Sequence, residues 1–182
     1  MFIIYAAMEQ STELLRYPYP SLNHRWNNYL CFNRGVMKIY TMGFAQKSAE
    51  VFFEQLRQNG VQRLVDIRLN PKGQLAGFTK QDDLPYFLNQ LVAGCQYVYM
   101  PVLAPTKEIL NDYRNDGNWP LYVSRFERLM DERCIPTVLD RDEFEKFPVC
   151  LLCSEPTPEQ CHRRLVAERI STYWNGVEIV HL

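Results

Sequence analysis

This chain of 182 residues has no long apolar run and no excess of basic residues, and each absence disfavours a class of protein. No segment approaches the roughly 20 consecutive apolar residues of a membrane span, so we expect no membrane association. The formal net charge is −1 at pH 7. That value disfavours nucleic-acid binding, which usually needs a basic patch or stripe, although a small local arginine cluster leaves it open.

We expect no secretory leader. The first apolar run, FIIYAAM, is short, lacks a basic start and meets Glu9 almost at once. Only six cysteines occur in the chain, and thiols stay reduced in the cytoplasm. We therefore expect a cytoplasmic protein with free thiols.

Residues 1–36 differ from the rest of the chain because they are rich in Tyr, Asn and Pro and show no sustained period. A β-rich run begins at Met37. We predict one α/β domain over residues 37–182, preceded by an N-terminal extension. Two interpretations of the extension stay open: an upstream reading of the start codon that is not native, or an arm that packs on the domain through its aromatic residues.

Strand and helix patterns alternate after Met37. Short β-type runs predict strands at 38–42, 63–68, 96–100, 147–153 and 177–182. Helical periods predict helices that begin after Ser48 and Thr79, around 106–114 and 119–133, and after Thr157. Such alternation favours a largely parallel sheet with helices on both faces. We predict an α/β fold with three layers, αβα.

Capping boxes predict two of the helix starts. Thr79 has Asp82 as its partner three residues later. Thr157 has Gln160 as its partner, and Pro158 suits the first helical position. We expect the last helix to begin at this proline.

Polar and reactive residues follow the predicted strands, whose carboxyl ends meet at one edge of a parallel sheet. Open α/β sheets bind ligands at that edge, so we expect a pocket there. The residues concerned include Gly43, Asp66, Arg68, Lys72, Cys153 and Glu155.

The segment CSEPTPEQCHRR, residues 153–164, joins two thiols, a carboxylate, an imidazole and two guanidinium groups. It leads from a strand into a helix. A helix N-terminus favours anions and lowers the pKa of a nearby thiol. We therefore expect Cys153 or Cys161 to have thiolate character if it faces the pocket.

Four stretches of this sequence, YTMGF, VDIRLNP, YVYMPVLAP and LLCSEPTPEQCHRRLVAE, resemble an uncharacterised, mostly bacterial family known as domain of unknown function 488. The resemblance covers about residues 38–182 and implies an α/β fold without a defined activity. Members often carry Leu-Gly-Gly after the third strand, where this chain has Leu103-Ala104-Pro105, so we expect a different loop there. The positions that match the family are Gly43, Asp66, Arg68, Pro71, Tyr97, Cys153, Glu155, Cys161, His162 and Arg163.

Four residues have the types and rough spacing of zinc ligands: Cys150, Cys153, Cys161 and His162. Alternation along a strand places Cys150 and Cys153 on opposite faces. Neighbouring residues of a helix diverge by about 100°, which should separate Cys161 from His162. We therefore assign no metal ligand, and a looser site without Cys150 is the less favoured alternative.

Two kinds of catalysis stay open. A cysteine thiol can act as nucleophile with His162 as its base. Alternatively, Asp66 and Glu155 can do proton chemistry. Asp66 is equally suited to a structural ion pair with Arg68 or Arg163. Aromatic residues between 97 and 126 are mostly core by default, although one or two could stack on a base.

We predict a protein with a pocket for a small anionic or nucleotide-like ligand, and an enzyme is the first hypothesis. The catalytic candidates are Asp66, Cys153, Glu155, Cys161 and His162, and the ligand-binding candidates are Gly43, Arg68, Lys72, Tyr97 and Arg163. A thiol-based metal-binding or redox-sensing module and a nucleic-acid-associated protein are the alternatives. The sequence identifies no cofactor, substrate or oligomeric state.

Overall fold

A computed structural model describes residues 36–182, except for the side chains of residues 74–76. The predicted extension lies almost entirely outside the described residues, so the boundary at residue 36 stays a prediction. Five strands form one sheet in the order β3-β2-β4-β1-β5, and every pairing is parallel. The strands are β1 Met37–Gly43, β2 Arg63–Asp66, β3 Gln96–Tyr99, β4 Val149–Cys153 and β5 Val177–His181.

Six α-helices connect these strands and cover both faces of the sheet. One face packs against α1 and α2, and the other packs against α3, α4, α5 and α6. The helices are α1 Ala49–Gln58, α2 Leu84–Leu91, α3 Lys107–Asp116, α4 Trp119–Glu132, α5 Arg141–Lys146 and α6 His162–Tyr173. The predicted three-layer α/β arrangement is confirmed. Among the described residues, no helix combines the length and apolarity needed to cross a bilayer.

Strand β4 lies in the centre of the sheet, and all five of its residues are buried. Successive side chains alternate between the two faces. Val149 and Leu151 pack in the core on the α3–α6 side, whereas Cys150 and Leu152 pack in the core on the α1–α2 side. A strand covered on both faces has no polar side, which explains why its sequence VCLLC is apolar throughout.

Helix α1 begins where the sequence predicts, because the Ser48 hydroxyl accepts a hydrogen bond from the amide of Val51 at 3.2 Å. Helix α2 begins later than predicted, after an N-cap at Asp83. The hydroxyl and carbonyl oxygens of Thr79 accept hydrogen bonds from Arg68 instead. The sequence analysis also missed α5, a short helix capped by the side chain of Asp140.

The predicted start of α6 after Thr157 is wrong. The helix begins at His162, and Cys161 is its N-cap, with an extended backbone at φ −134° and ψ 137°. The preceding residues form a turn in which the Cys161 amide donates to the carbonyl of Pro158 at 3.3 Å. The side chain of Gln160 accepts a hydrogen bond from Tyr113 rather than completing a capping box.

These helix starts can be tested with two substitutions. We expect Ser48→Ala to lower the free energy of unfolding by about 1 kcal/mol, because an α1 amide loses its partner. We expect Thr157→Ala to stay within about 0.5 kcal/mol of the native value, because Thr157 caps no helix. Urea unfolding of both variants measures the difference, and equal losses would contradict the observed start of α6.

Candidate functional site

A pocket of about 310 Å³ opens at the carboxyl ends of β2 and β4, which are paired neighbours in the sheet. The chain leaves β2 toward the α1–α2 face and leaves β4 toward α6 on the opposite face. Such a divergence creates the crevice in which open α/β sheets bind ligands. The pocket therefore lies where the fold itself leaves a gap.

Three buried side chains in this pocket form a thiol–imidazole cluster: Cys153, Cys161 and His162. The Cys161 thiol donates a hydrogen bond to the sulfur of Cys153 at 3.0 Å. The Cys153 sulfur lies 3.5 Å from Nδ1 of His162. The structure thus brings together the two thiols and the imidazole that the sequence analysis selected.

The cluster forms because Cys161 precedes the helix. The expectation that Cys161 and His162 diverge is wrong, since the extended backbone of Cys161 breaks the helical rotation between them. Cys153 continues the alternation of β4 and faces the same side as Leu151. Cys150 faces the opposite side, where burial raises its pKa and it packs as an apolar residue.

The ring orientation of His162 is fixed by the main chain. Its Nε2 lies 2.9 Å from the carbonyl oxygen of Ile67, and a carbonyl can only accept a hydrogen bond. Nε2 therefore carries a proton, and Nδ1 is the nitrogen able to exchange a proton with Cys153. Phe126 packs edge-on against the imidazole at a centroid distance of 5.9 Å.

The pKa values of the two thiols are shifted in opposite directions. Burial opposes ionisation of Cys153, but the hydrogen bond from Cys161, the amides of Glu155 and Ser154, and the charge of Arg163 outweigh burial and lower its pKa. Burial and the hydrogen bond to Cys153 raise the pKa of Cys161 well above the usual range. The pair therefore favours one thiolate, on Cys153, and one neutral thiol, on Cys161.

Arg163 is a fully buried cation that pairs with no carboxylate among residues 36–182. Its Nη1 donates to the carbonyl of Glu155 at 2.6 Å, and its Nη2 lies 3.4 Å from the carbonyl of Pro156. An uncompensated buried charge is costly. This charge helps to lower the pKa of Cys153, and a thiolate there offsets it.

The loop that Arg163 holds also presses against Gly43, the last residue of β1. A Cβ on Gly43 would lie 1.6 Å from the Glu155 carbonyl oxygen and 2.9 Å from Nη1 of Arg163. The amides of Phe44 and Ala45 donate to the carbonyls of Cys153 and Ser154, which joins the two loops. Gly43 therefore contributes by having no side chain, and it does not line the pocket.

Asp66 is enclosed in an ion pair and does not line the pocket. Its carboxylate accepts hydrogen bonds from Arg68 at 2.8 and 2.6 Å and from the hydroxyl of Tyr97 at 2.7 Å. Of the two ion pairs that the sequence left open, the structure forms the one with Arg68. Burial and the bond to Asp66 raise the pKa of Tyr97 far above its usual range, so its hydroxyl stays protonated and donates to the carboxylate that holds Arg68.

Half of the ten predicted site residues line the pocket: Arg68, Cys153, Glu155, Cys161 and His162. Lys72 does not, and its exposed ammonium pairs with Asp82 at 3.4 Å.

Three aromatic residues that the sequence predicts to be mostly core form a wall of the pocket. Trp119 and Tyr122 stack with centroids 5.0 Å apart, and Tyr113 lies against both. Their helical spacing, three residues from Trp119 to Tyr122, is that of ordinary core residues. No signal in the sequence separates a pocket wall from a core here.

The cluster also offers the donor types that a soft metal ion prefers. Its two sulfurs and one imidazole nitrogen lie within 4.8 Å of one another. A tetrahedral zinc with bonds of about 2.3 Å would separate the two sulfurs by about 3.8 Å, compared with the 3.0 Å of the hydrogen-bonded pair. It would also ionise both thiols and occupy the thiolate that now offsets Arg163. The arrangement fits a thiol–thiolate pair better.

The close approach at Gly43 predicts that an added methyl group destabilises the protein far more at Gly43 than at Gly73. We expect Gly43→Ala to lower the free energy of unfolding by at least about 2 kcal/mol, because main-chain atoms obstruct the added methyl group. Gly73→Ala is the matched control, since its nearest neighbour would lie at 3.6 Å. Urea unfolding measures both, and a Gly43→Ala protein as stable as Gly73→Ala would contradict the close approach.

The buried ion pair predicts that Asp66→Asn is strongly destabilising. Losing the carboxylate leaves the charge of Arg68 buried and unpaired, which typically costs about 3–5 kcal/mol. Glu54→Gln is the control, because it removes the exposed pair with Arg57 and should cost less than about 1 kcal/mol. Thermal and urea unfolding would detect the contrast, and comparable losses would argue against a structural role for Asp66.

Comparison with known proteins places the cluster in a family. Residues 48–170 match the Domain of unknown function DUF488. Neither a curated protein nor a solved structure matches this chain. Because the match spans more than half of the chain and includes Cys153, Cys161 and His162, this protein belongs to the DUF488 family.

Proposed function

We propose that this protein is an enzyme that uses the thiolate of Cys153 as a nucleophile on a small anionic or nucleotide-like compound. One observation carries the proposal: the bond from Nε2 of His162 to the Ile67 carbonyl leaves Nδ1 facing the Cys153 sulfur at 3.5 Å. A cysteine beside an oriented imidazole is the usual arrangement of an activated thiol.

The groups around Cys153 have different roles in the reaction. Nδ1 of His162 accepts the proton of the Cys153 thiol and later returns a proton to the leaving group. Arg163 and the amides of Ser154 and Glu155 stabilise the thiolate before the substrate arrives. Both thiols are almost fully buried, so the reaction takes place away from bulk water.

The pocket wall supports the substrate class. Its volume of about 310 Å³ lies at the lower end of the range for small-molecule sites. The indole of Trp119 suits a planar group, and the exposed guanidinium group of Arg114 suits an anion. We place this activity in the cytoplasm, where a reducing environment keeps such thiols free.

If Cys153 is the nucleophile, it should be alkylated at a lower pH than an ordinary cysteine. Only the thiolate reacts with iodoacetamide, and a lowered pKa fills the thiolate form at lower pH. We expect the midpoint for Cys153 to fall below about 8.5, the value of an ordinary cysteine. We expect His162→Gln to move the midpoint upward, because the imidazole that receives the proton is lost.

Peptide mass spectrometry resolves each alkylated cysteine. The exposed Cys134 serves as a reference thiol within the same chain. A Cys153 that is alkylated only at a higher pH than Cys134, or a profile unchanged in His162→Gln, would overturn the proposed nucleophile.

A further inference from the structure

The proposed nucleophile leaves the second thiol of the cluster without a role. Cys161 is buried, donates its proton toward the Cys153 sulfur at 3.0 Å and lines the same pocket. Burial and that bond keep its pKa high, so it stays protonated while Cys153 ionises. A neutral thiol in contact with a thiolate is the starting arrangement for thiol–disulfide exchange.

We infer that Cys153 and Cys161 form a redox dithiol that reduces a small organic disulfide, with Cys153 as the attacking thiolate and Cys161 as the resolving thiol. The inference rests on the proposed nucleophile, Cys153. It adds the substrate class and a second reacting residue.

The reaction has two balanced steps. In the first, the Cys153 thiolate attacks one sulfur of the substrate RSSR, a Cys153–SR mixed disulfide forms, and the RS⁻ that leaves takes the proton held on Nδ1 of His162. In the second, the Cys161 sulfur attacks Cys153 and loses its proton to Nδ1, which passes it to the second RS⁻. The substrate is reduced to two RSH, the two cysteines are oxidised to a disulfide, and external thiols reduce that disulfide again.

Burial restricts the substrate to small molecules. Cys153 is 3% exposed and Cys161 is 2% exposed. A disulfide on a folded protein surface cannot approach sulfurs at this depth, whereas a small molecule can enter the 310 Å³ pocket.

The position of Cys161 favours sulfur over carbon as the atom attacked. An alkylating carbon would leave Cys153 as a thioether, which a neighbouring thiol does not release, and an acyl group would only pass from one thiol to the other. A mixed disulfide on Cys153 is instead an adduct that a thiol in contact with it can resolve within the same molecule.

The test exposes the reduced full-length chain to hydroxyethyl disulfide without oxygen, followed by intact mass and peptide mapping. In the wild-type protein, peptide mapping should find a Cys153–Cys161 bond, whose formation removes two hydrogens from that pair and releases two molecules of mercaptoethanol. Cys161→Ser should stop at a mixed disulfide on Cys153, whose formation releases only one. Cys134→Ser, which removes an exposed thiol able to form its own mixed disulfide, should form the same Cys153–Cys161 bond.

The outcomes separate the inference from the proposed function. A wild-type protein that stops at the mixed disulfide, or that reacts with iodoacetamide at Cys153 but not with the disulfide, overturns the inference and leaves the nucleophile intact. A Cys153 that reacts with neither reagent overturns both. A Cys153–Cys161 bond formed with tert-butyl hydroperoxide but not with the disulfide overturns the substrate class.

Discussion

The buried charge of Arg163 is the constraint on which the site depends. The guanidinium has no carboxylate partner within residues 36–182, and it donates to the main-chain carbonyl of Glu155 at 2.6 Å. Its charge also helps to lower the pKa of Cys153. This charge fixes the turn that follows β4 and favours a thiolate over a thiol at its start. A carboxylate beside Arg163 would offset the charge more simply, but it would remove one of the causes that lower the pKa of Cys153.

The parallel sheet brings the other groups of the site together at one edge. β2 and β4 are paired, so the residue after β2 and the last residue of β4 lie side by side at one edge. Ile67 presents a carbonyl there and Cys153 presents a sulfur, and His162 bridges the two. Arg68 completes this edge, held from the other side of β2 by Asp66 and Thr79. The ion pair and the cluster therefore lie on opposite sides of the strand edge and have separate roles.

The sequence predicted the larger features well because they follow from periodicity. Alternating strand and helix patterns predicted the parallel sheet and the two helical layers, and strand ends predicted where the polar residues collect. The two wrongly predicted capping boxes share one cause, which is that the side chains concerned bond to distant partners instead of local ones. Thr79 bonds to Arg68 and Gln160 bonds to Tyr113, so neither capping box forms.

The start of α6 is the clearest case in which a distant contact overrides local helix propensity. Local propensity favours a helix from Thr157 and Pro158, but Cys161 adopts an extended conformation and its sulfur contacts Cys153. This single change converts two side chains that should diverge into two members of one cluster. The aromatic wall of the pocket was predicted to be mostly core for a different reason. Helical spacing does not distinguish a buried surface from a pocket lining.

The group that orients the imidazole belongs to the main chain, and this makes it robust to mutation. Any residue at position 67 still provides a carbonyl oxygen, and the amide of Ile67 is tied to the carbonyl of Leu152 at 3.1 Å, which keeps that oxygen in register. Side-chain replacement can alter the packing at this position without removing the hydrogen bond. An alanine scan would therefore overlook one of the groups that define the state of His162.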